Sequence, residues 1–134
     1  MELMFQPLRR YADFQGRARR AEYWLFQLGL CLFLLAPITI IGIGGETFLR
    51  SSFGVALSIA FSIGVFGLLV PAYAVLARRL HDTNRSAWWM LISFLPLLGG
   101  LILLALSVLD GTPGRNRFGA DPKGRGETDV SVFT

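Results

Sequence analysis

Residues 23–45 read YWLFQLGLCLFLLAPITIIGIGG, and no charged side chain interrupts them. Two further runs have the same character, because no Asp, Glu, Lys or Arg lies between Arg50 and Arg78 or between Arg85 and Asp110. An α-helix needs about 20 apolar residues to cross the ~30 Å hydrocarbon core of a bilayer. Each run is long enough, so the sequence predicts three transmembrane helices, over residues 23–45, 53–77 and 88–109.

The composition of the whole chain agrees with a membrane protein. Of the 134 residues, 53% are hydrophobic and 16% are charged, whereas charged residues make up about 25% of a soluble domain. Backbone groups in hydrocarbon must be hydrogen-bonded within the protein, which makes continuous apolar runs helical. We therefore expect an all-α membrane protein with one membrane domain over residues 1–134. Residues 110–134 are rich in Gly, contain Pro and lack an apolar period, so we expect an irregular C-terminal tail.

The segment before the first run has an amphipathic pattern. Met4, Leu8 and Tyr11 share one face of a helix, and arginines lie on the other face. This pattern predicts a short amphipathic helix in the headgroup plane. A partly ordered polar lead-in fits the same residues, and the sequence leaves both interpretations open.

The distribution of Lys and Arg predicts the orientation. If all three runs cross the membrane and the N-terminus is cytoplasmic, eight basic residues lie inside and five outside, which favours this orientation because basic residues near span ends remain in the cytoplasm. In the alternative, Pro96, Gly99 and Gly100 bend the third run into a re-entrant hairpin, and the counts become twelve and one. We expect a full, Pro-kinked third helix, because re-entrant backbone needs shelter and two spans provide little. The side of the tail depends on this choice.

Small residues in the second run predict close helix packing. Ala56, Ala60 and Gly64 follow one another at four-residue spacing, and small side chains let membrane helices approach closely. We expect this stripe to face the first or third run. Homodimerisation is the alternative use of the same stripe.

The loop between the second and third runs contains the densest group of polar side chains. Asp82 is predicted to pair with an arginine of this loop or of the segment 17–20, because an Arg–carboxylate pair fixes loop geometry. His81 allows a second interpretation as a proton carrier, since the ordinary pKa of imidazole is near 6.5. We expect the first role, a network that holds the cytoplasmic face together.

No residue pattern in the chain predicts catalysis. The sequence has no Gly-x-Ser-x-Gly, His-Glu-x-x-His or phosphate-binding Gly-x-x-x-x-Gly-Lys motif. One His beside one Asp is too few ligands for a metal. The arginines flank the apolar runs, so orientation explains them without nucleic acid. We therefore expect no enzyme activity, no cofactor, no metal and no nucleic-acid partner.

Three ordered motifs resemble those of a known family. They are Phe14-x-Gly16-Arg17-x-x-Arg20-x-Glu22-Tyr23-Trp24, Arg78-Arg79-Leu80-His81-Asp82-x-x-Arg85-Ser86-x-Trp88, and Gly111-Thr-Pro-Gly114-x-Asn116-x-Phe118-Gly119-x-Asp121-Pro122. Together they resemble the domain-of-unknown-function 805 family, small inner-membrane proteins of bacteria, over about residues 5–123. The resemblance implies a multi-pass protein of the bacterial plasma membrane and supplies no catalytic residues. The candidate polar cluster comprises Arg17, Arg20, Glu22, Arg78, Arg79, His81, Asp82 and Arg85, with Asn116 and Asp121 from the tail motif.

Two functions remain open at this point. The expected one is a small integral membrane protein that acts through contacts with lipid or protein, without chemistry of its own. The alternative is a subunit of a small oligomeric transporter or channel, which helix breaks at Pro37, Pro71 and Pro96 would suit. The lipid bilayer is the expected partner, and a homo-oligomer or another membrane protein is a further possibility.

Overall fold

A computed structural model describes residues 2–125 of the chain. Within that range every regular element is a helix, and there is no strand beyond the isolated bridge between Asn116 and Gly119. The α-helices are α1 (Glu2–Arg9), α2 (Arg20–Arg50), α3 (Ser52–Asp82) and α4 (Leu98–Val108), and a 3₁₀ helix, Ala87–Phe94, precedes α4. The expected irregular tail is found over residues 110–125, while residues 126–134 of it lie outside the described residues.

Helices α2 and α3 form a long antiparallel pair. Each has 31 residues, but α2 is interrupted by a kink at Gly45, where φ is +60°. Helix α3 is about 46 Å long at 1.5 Å per residue, and both helices are long and apolar enough to cross a membrane. Ser51 alone separates them, and its Oγ accepts a 3.0 Å hydrogen bond from the Gly54 amide, which caps α3. Gly54 is required by this turn, since a Cβ there would collide with the Phe48 carbonyl oxygen. The turn is therefore shorter than the seven residues, 46–52, that separate the first two predicted helices.

Contact between α2 and α3 depends on aromatic rings more than on small residues. The rings of Phe33 and Phe61 stack with their centroids 4.9 Å apart. Gly64 lies against Phe33, and a Cβ at Gly64 would be 3.2 Å from Phe33 Cζ. Ala56 and Ala60 are exposed. The prediction that the whole stripe packs against the first or third run is thus wrong for its two alanines, because at their level Phe61 and its neighbours on the same face, and not the alanines, are turned toward α2.

The N-terminal segment is a helix rather than a polar lead-in. Helix α1 packs against α2 and α3, with Met4 seated on Gly29 of α2. Tyr11, just beyond α1, donates a hydrogen bond from its hydroxyl to the Gly67 carbonyl of α3. Glu2 and Arg9 are exposed on the other side. The amphipathic pattern therefore docks α1 onto the helix pair.

The third apolar run is not one helix, which corrects the prediction of a continuous span over residues 88–109. It consists of the 3₁₀ helix and α4, separated by a break at residues 95–97. Leu97 has φ +62°, a left-handed conformation that non-glycine residues seldom adopt. Helix α4 has 11 residues, about 16 Å, or half of the ~30 Å core. Three spans are not confirmed.

Both ends of the third run lie at the same end of the α2–α3 pair. Arg79 Nε of α3 donates to the Ser107 carbonyl at 3.1 Å, and Arg20 Nη1 of α2 donates to the Val108 carbonyl at 3.1 Å. The last carbonyls of a helix have no intrahelical partner, so arginines at the start of α2 and the end of α3 cap α4 and draw it back. Residues 87–108 thus form a hairpin whose two ends meet at one end of the α2–α3 pair, the geometry of the re-entrant alternative.

We predict that Gly64→Leu destabilises the α2–α3 pair. The new side chain has to displace the ring of Phe33, and overpacking of this kind costs about 1–3 kcal/mol. The adjacent variant Ile63→Leu is the control, because Ile63 is 67% exposed. Thermal melting of both purified variants in detergent tests this. Equal melting temperatures would show that Gly64 does not lie at a helix interface.

Candidate functional site

Among residues 2–125, the largest fully buried side chains are charged. Arg78 and Arg79 have no exposed surface, and Asp82 is 1% exposed, whereas many leucines, isoleucines and phenylalanines of α2 and α3 are exposed. Burying charge is costly unless each charged group is paired and hydrogen-bonded. The polar end of the α2–α3 pair is therefore the part of the structure where side-chain placement is most constrained.

The carboxylate of Asp82 lies between two arginines. Its Oδ1 accepts a 2.9 Å hydrogen bond from Arg17 Nε, and its Oδ2 accepts one from Arg79 Nη1. The side chains of all three residues are at most 2% exposed. Asp82 is the last residue of α3, where the helix dipole disfavours a negative charge. Two buried arginines offset that effect and make the pairing geometrically specific.

Arg17 also binds the tail, over residues 110–125. Its Nη1 donates to the Gly114 carbonyl at 2.7 Å and its Nη2 to the Thr112 carbonyl at 2.5 Å. Thr112 is also bonded to the end of α3, because its amide donates a hydrogen bond to the Asp82 carbonyl at 2.9 Å. A guanidinium has five N–H donors in a planar fork. One side chain thus joins the segment before α2, the end of α3 and the tail.

Two residues of the tail motif allow the tail to lie close to the end of α3. A Cβ at Gly111 would collide with the Asp82 carboxylate, so the glycine lets the tail backbone approach it. Asn116 Nδ2 donates to the His81 carbonyl and to Thr112 Oγ1, both at 2.9 Å. Asn116 also accepts from the Phe118 amide at 2.9 Å. The glycine and the asparagine therefore fix the tail against the end of α3.

His81 is held on both sides. Its Nδ1 lies 3.1 Å from the Gly16 carbonyl oxygen, and its ring stacks on Phe118 with centroids 3.9 Å apart. A carbonyl only accepts hydrogen bonds, so the proton of the imidazole is on Nδ1 in this arrangement. These contacts place His81 in the packing between the N-terminal segment, α3 and the tail.

Glu22 and Arg78 form a second buried pair. Glu22 Oε1 is 3.2 Å from Arg78 Nη2, and both side chains are at most 6% exposed. Within residues 2–125, neither that oxygen nor any of the three guanidinium nitrogens has a hydrogen-bond partner. Charge attraction alone holds this pair. Its hydrogen-bonding groups are free for buried water, which serves unsatisfied polar groups in many proteins.

A more exposed group of charges surrounds the tail. Asp110 accepts from Lys123 Nζ at 2.7 Å and lies 3.2 Å from Arg125 and 3.5 Å from Arg20. The Lys123 hydrogen bond, aided by the two arginine charges, lowers the pKa of Asp110 from 3.8 to about 2. Arg125 Nε donates to Asp121 at 2.9 Å. The carboxylate of Asp110 therefore stays ionised far into the acidic range.

Asp121 has a lowered pKa for a related reason. Burial alone would raise it, but hydrogen bonds from the Lys123 amide and the Arg125 guanidinium have the larger combined effect. Asp121 also lies 3.8 Å from Arg17, which links the outer charges to the buried ones. Arg85 is placed apart from the cluster, with its guanidinium 5.9 Å from the ring centre of Trp89.

The structure thus brings most of the candidate residues into one network, named here the Asp82 cluster: Arg17, Arg79, His81, Asp82, Asn116 and Asp121. Glu22 with Arg78 and Arg20 with Asp110 lie beside it. Over residues 2–125, no group of three or more His, Cys, Asp or Glu side chains is suited to a metal ion. The Asp82 cluster joins the N-terminal segment, α3 and the tail. Both oxygens of the Asp82 carboxylate are bonded to arginines, so this carboxylate is not free to act as an acid or a base.

Sequence reasoning missed several residues of this network. Arg79 donates to the backbone carbonyls of Ser107 and Leu109. Arg17 donates to the backbone carbonyl of Thr112, whose hydroxyl is the one side-chain group among these three residues that joins the network. Backbone groups carry no side-chain signal in a sequence. The sequence showed Gly111 at the start of a turn. It did not show that Gly111 lies against Asp82, because this contact depends on the third run turning back.

Comparisons with known proteins agree with a membrane location. The family model described as "Protein of unknown function (DUF805)" matches residues 11–120. Inner membrane protein YhaH of Escherichia coli strain K12 is 38% identical over 133 residues, covering 92% of this chain and 98% of that protein. Inner membrane protein YhaI of the same strain is 37% identical over 123 residues, covering 92% and 97%. No solved structure matches the chain.

We predict that Asp82→Asn strongly destabilises the fold. The substitution removes the charge that two buried arginines share, and breaking a buried ion pair costs about 3–5 kcal/mol. Asp13→Asn is the matched control, since the Arg10–Asp13 pair is 39% exposed on both sides and exposed pairs contribute about 0.2–1 kcal/mol. Detergent melting curves measure both. If the two variants melt alike, Asp82 does not hold the fold together.

Proposed function

This chain belongs to the DUF805 family, and from that premise we propose that it is a non-enzymatic integral protein of the bacterial plasma membrane that acts through contacts with lipid. The observation that carries the proposal is the use of the Asp82 carboxylate. Both of its oxygens are occupied by arginines of the same chain. The polar residues that would otherwise suggest chemistry thus serve to hold the fold.

The remaining surface supports contact with lipid. Exposed large apolar side chains cover α2, α3 and the re-entrant hairpin; Ile43 is 91% exposed, Phe94 78% and Leu97 89%. An apolar surface of this extent is stable in hydrocarbon and unstable in water. Between Glu22 and Glu46 no charged side chain lies along α2, whereas ion and proton pathways usually contain one at mid-membrane.

We further propose that the N-terminus, the loop after α3 and the tail are cytoplasmic. With the third run re-entrant, Arg50 is the one basic residue at the far end of the α2–α3 pair, and the other twelve of the 13 Lys and Arg lie at the end that holds the Asp82 cluster. Basic residues close to span ends remain in the cytoplasm. The re-entrant arrangement therefore distributes the basic residues more unequally between the two sides of the membrane than three spans would.

A subunit of an oligomeric transporter or channel is the second candidate. The break at residues 95–97 favours it, because interrupted helices at mid-membrane depth form binding sites in transporters. Such a protein would need further copies or partners, since two long helices and one short hairpin enclose no continuous passage. The experiment on native membranes described below separates this candidate from the first.

The orientation is testable by cysteine labelling in intact cells. In a Cys31→Ser background, Ser52→Cys is expected to react with a membrane-impermeant maleimide. Ser86→Cys and Ala120→Cys are expected to react only after the membrane is opened, because both are placed on the basic side. Labelling of Ala120→Cys from outside, with Ser86→Cys protected, would show that the third run crosses the membrane.

The lipid-contact function is testable by isolation from native membranes. The protein is extracted from native membranes with a nanodisc-forming polymer, and an unrelated two-span membrane protein is extracted in the same way as a control. The lipids and proteins that remain bound to each are identified by mass spectrometry. We expect one lipid class to be enriched over the control, without a protein in matching amount. A stoichiometric protein partner together with bulk lipid composition would contradict lipid contact and favour the oligomeric alternative.

A further inference from the structure

A cleft of about 370 Å³ lies beneath the Asp82 cluster, between α2, α3 and the re-entrant hairpin. Leucines from all three elements contribute to its wall, among them Leu30, Leu69 and Leu103. Trp24 and Tyr73 on its wall are 39% and 40% exposed, so the cleft opens toward the surrounding lipid. Ligand sites in proteins are concave, mostly apolar and equipped with a few polar groups.

Five side chains with polar atoms line the same cleft: Tyr23, Trp24, Gln27, Tyr73 and Ser93. Several hydroxyls outside the cleft are bonded to backbone; Tyr11 donates to Gly67, and Ser107 donates to Leu103. Within residues 2–125, the five side chains in the cleft make no hydrogen bond to the protein, and none of their polar atoms is among the fully buried unpartnered atoms, so these atoms are open to the cleft. Polar groups placed in hydrocarbon without partners are unfavourable, so these groups are available to a ligand.

The chemistry of the lining restricts what the ligand can be. The indole N–H only donates, whereas the tyrosine and serine hydroxyls and the Gln27 amide both donate and accept, so each of the five side chains can donate a hydrogen bond. A ligand rich in acceptor oxygens matches a donor-rich wall. No Lys, Arg, Asp or Glu lines the cleft, so a charged head would be left unpaired in a poorly solvated place.

The depth of the cleft also excludes a phosphate head. Gln27 lies seven residues into α2 from Arg20, about 10 Å along the helix axis, and Ser93 lies close to the apex of the hairpin. The polar groups are therefore below the level of the arginines that border the membrane. A phospholipid could place acyl chains in the cleft, but its phosphate would remain outside.

We propose that this cleft binds an uncharged lipid whose head presents carbonyl oxygens to the hydroxyls and amide of the wall. Ester carbonyls of a diacylglycerol and ring carbonyls of an isoprenoid quinone share this chemistry. The head lies among the polar groups, and the hydrocarbon tail leaves between α2, α3 and the hairpin into the bilayer. The inference rests on the proposed lipid-contact function and specifies the lipid class and its site.

Binding is tested on the purified full-length chain in detergent. Decylubiquinone and dioctanoylglycerol are titrated separately, with dioctanoyl phosphatidylglycerol as the charged probe, and the melting temperature and tryptophan fluorescence are followed. We expect saturable binding of at least one uncharged probe, and the probe that binds identifies the source. Absence of binding by both, or equal binding of the charged probe, would overturn the proposal.

Two variants locate the site. Tyr73→Phe and Gln27→Leu each remove polar atoms from the cleft, and loss of one hydrogen bond is expected to weaken binding about threefold to tenfold. Tyr11→Phe is the matched control, because its hydroxyl bonds to Gly67 outside the cleft, and its affinity should equal that of the unmodified protein. Unchanged affinity in both cleft variants would overturn the assignment. If native lipid enrichment persists in these variants, the lipid-contact function stands and this cleft is excluded.

Discussion

The Asp82 carboxylate, shared by Arg17 and Arg79, is the interaction on which the remaining structure depends. It lies at the C-terminal end of α3, where the helix dipole opposes a negative charge, and it is removed from water. Each arginine that pairs with it has further N–H groups, and these bind carbonyls of the tail and of the end of α4. One buried carboxylate therefore determines where the N-terminal segment, α3, α4 and the tail meet.

This polar centre explains how a short hairpin is held beside only two long helices. In hydrocarbon, irregular backbone is tolerated where protein or a water-filled cavity shelters it. Arg79 and Arg20 cap the last carbonyls of α4, and α2 and α3 cover one side of the hairpin. A cleft lined by residues of all three elements remains between them.

The sequence predicted the parts of the fold that depend on local pattern. The charge-free runs indicated the long helices, and the spacing of Met4, Leu8 and Tyr11 indicated an amphipathic α1. The third run could not be predicted in this way, since its direction is decided by arginines distant in sequence that cap α4. The sequence predicted that Asp82 pairs with arginine, but it did not predict that Arg17 also donates hydrogen bonds to carbonyls of the tail. The alanines of the α3 stripe misled because the spacing of small residues does not show which face of α3 is turned toward α2.

The re-entrant path of residues 87–108 is tested most directly by a distance between spin labels on Arg85→Cys and Arg117→Cys, measured by pulsed electron paramagnetic resonance in nanodiscs with Cys31→Ser. Arg117 Nη2 donates to the Asn84 carbonyl at 3.0 Å, so the two labelled positions lie close together. We predict a separation well below ~30 Å, the thickness of the hydrocarbon core. A dominant distance of about 30 Å or more would show that the third run crosses the bilayer and that the tail does not meet Asp82.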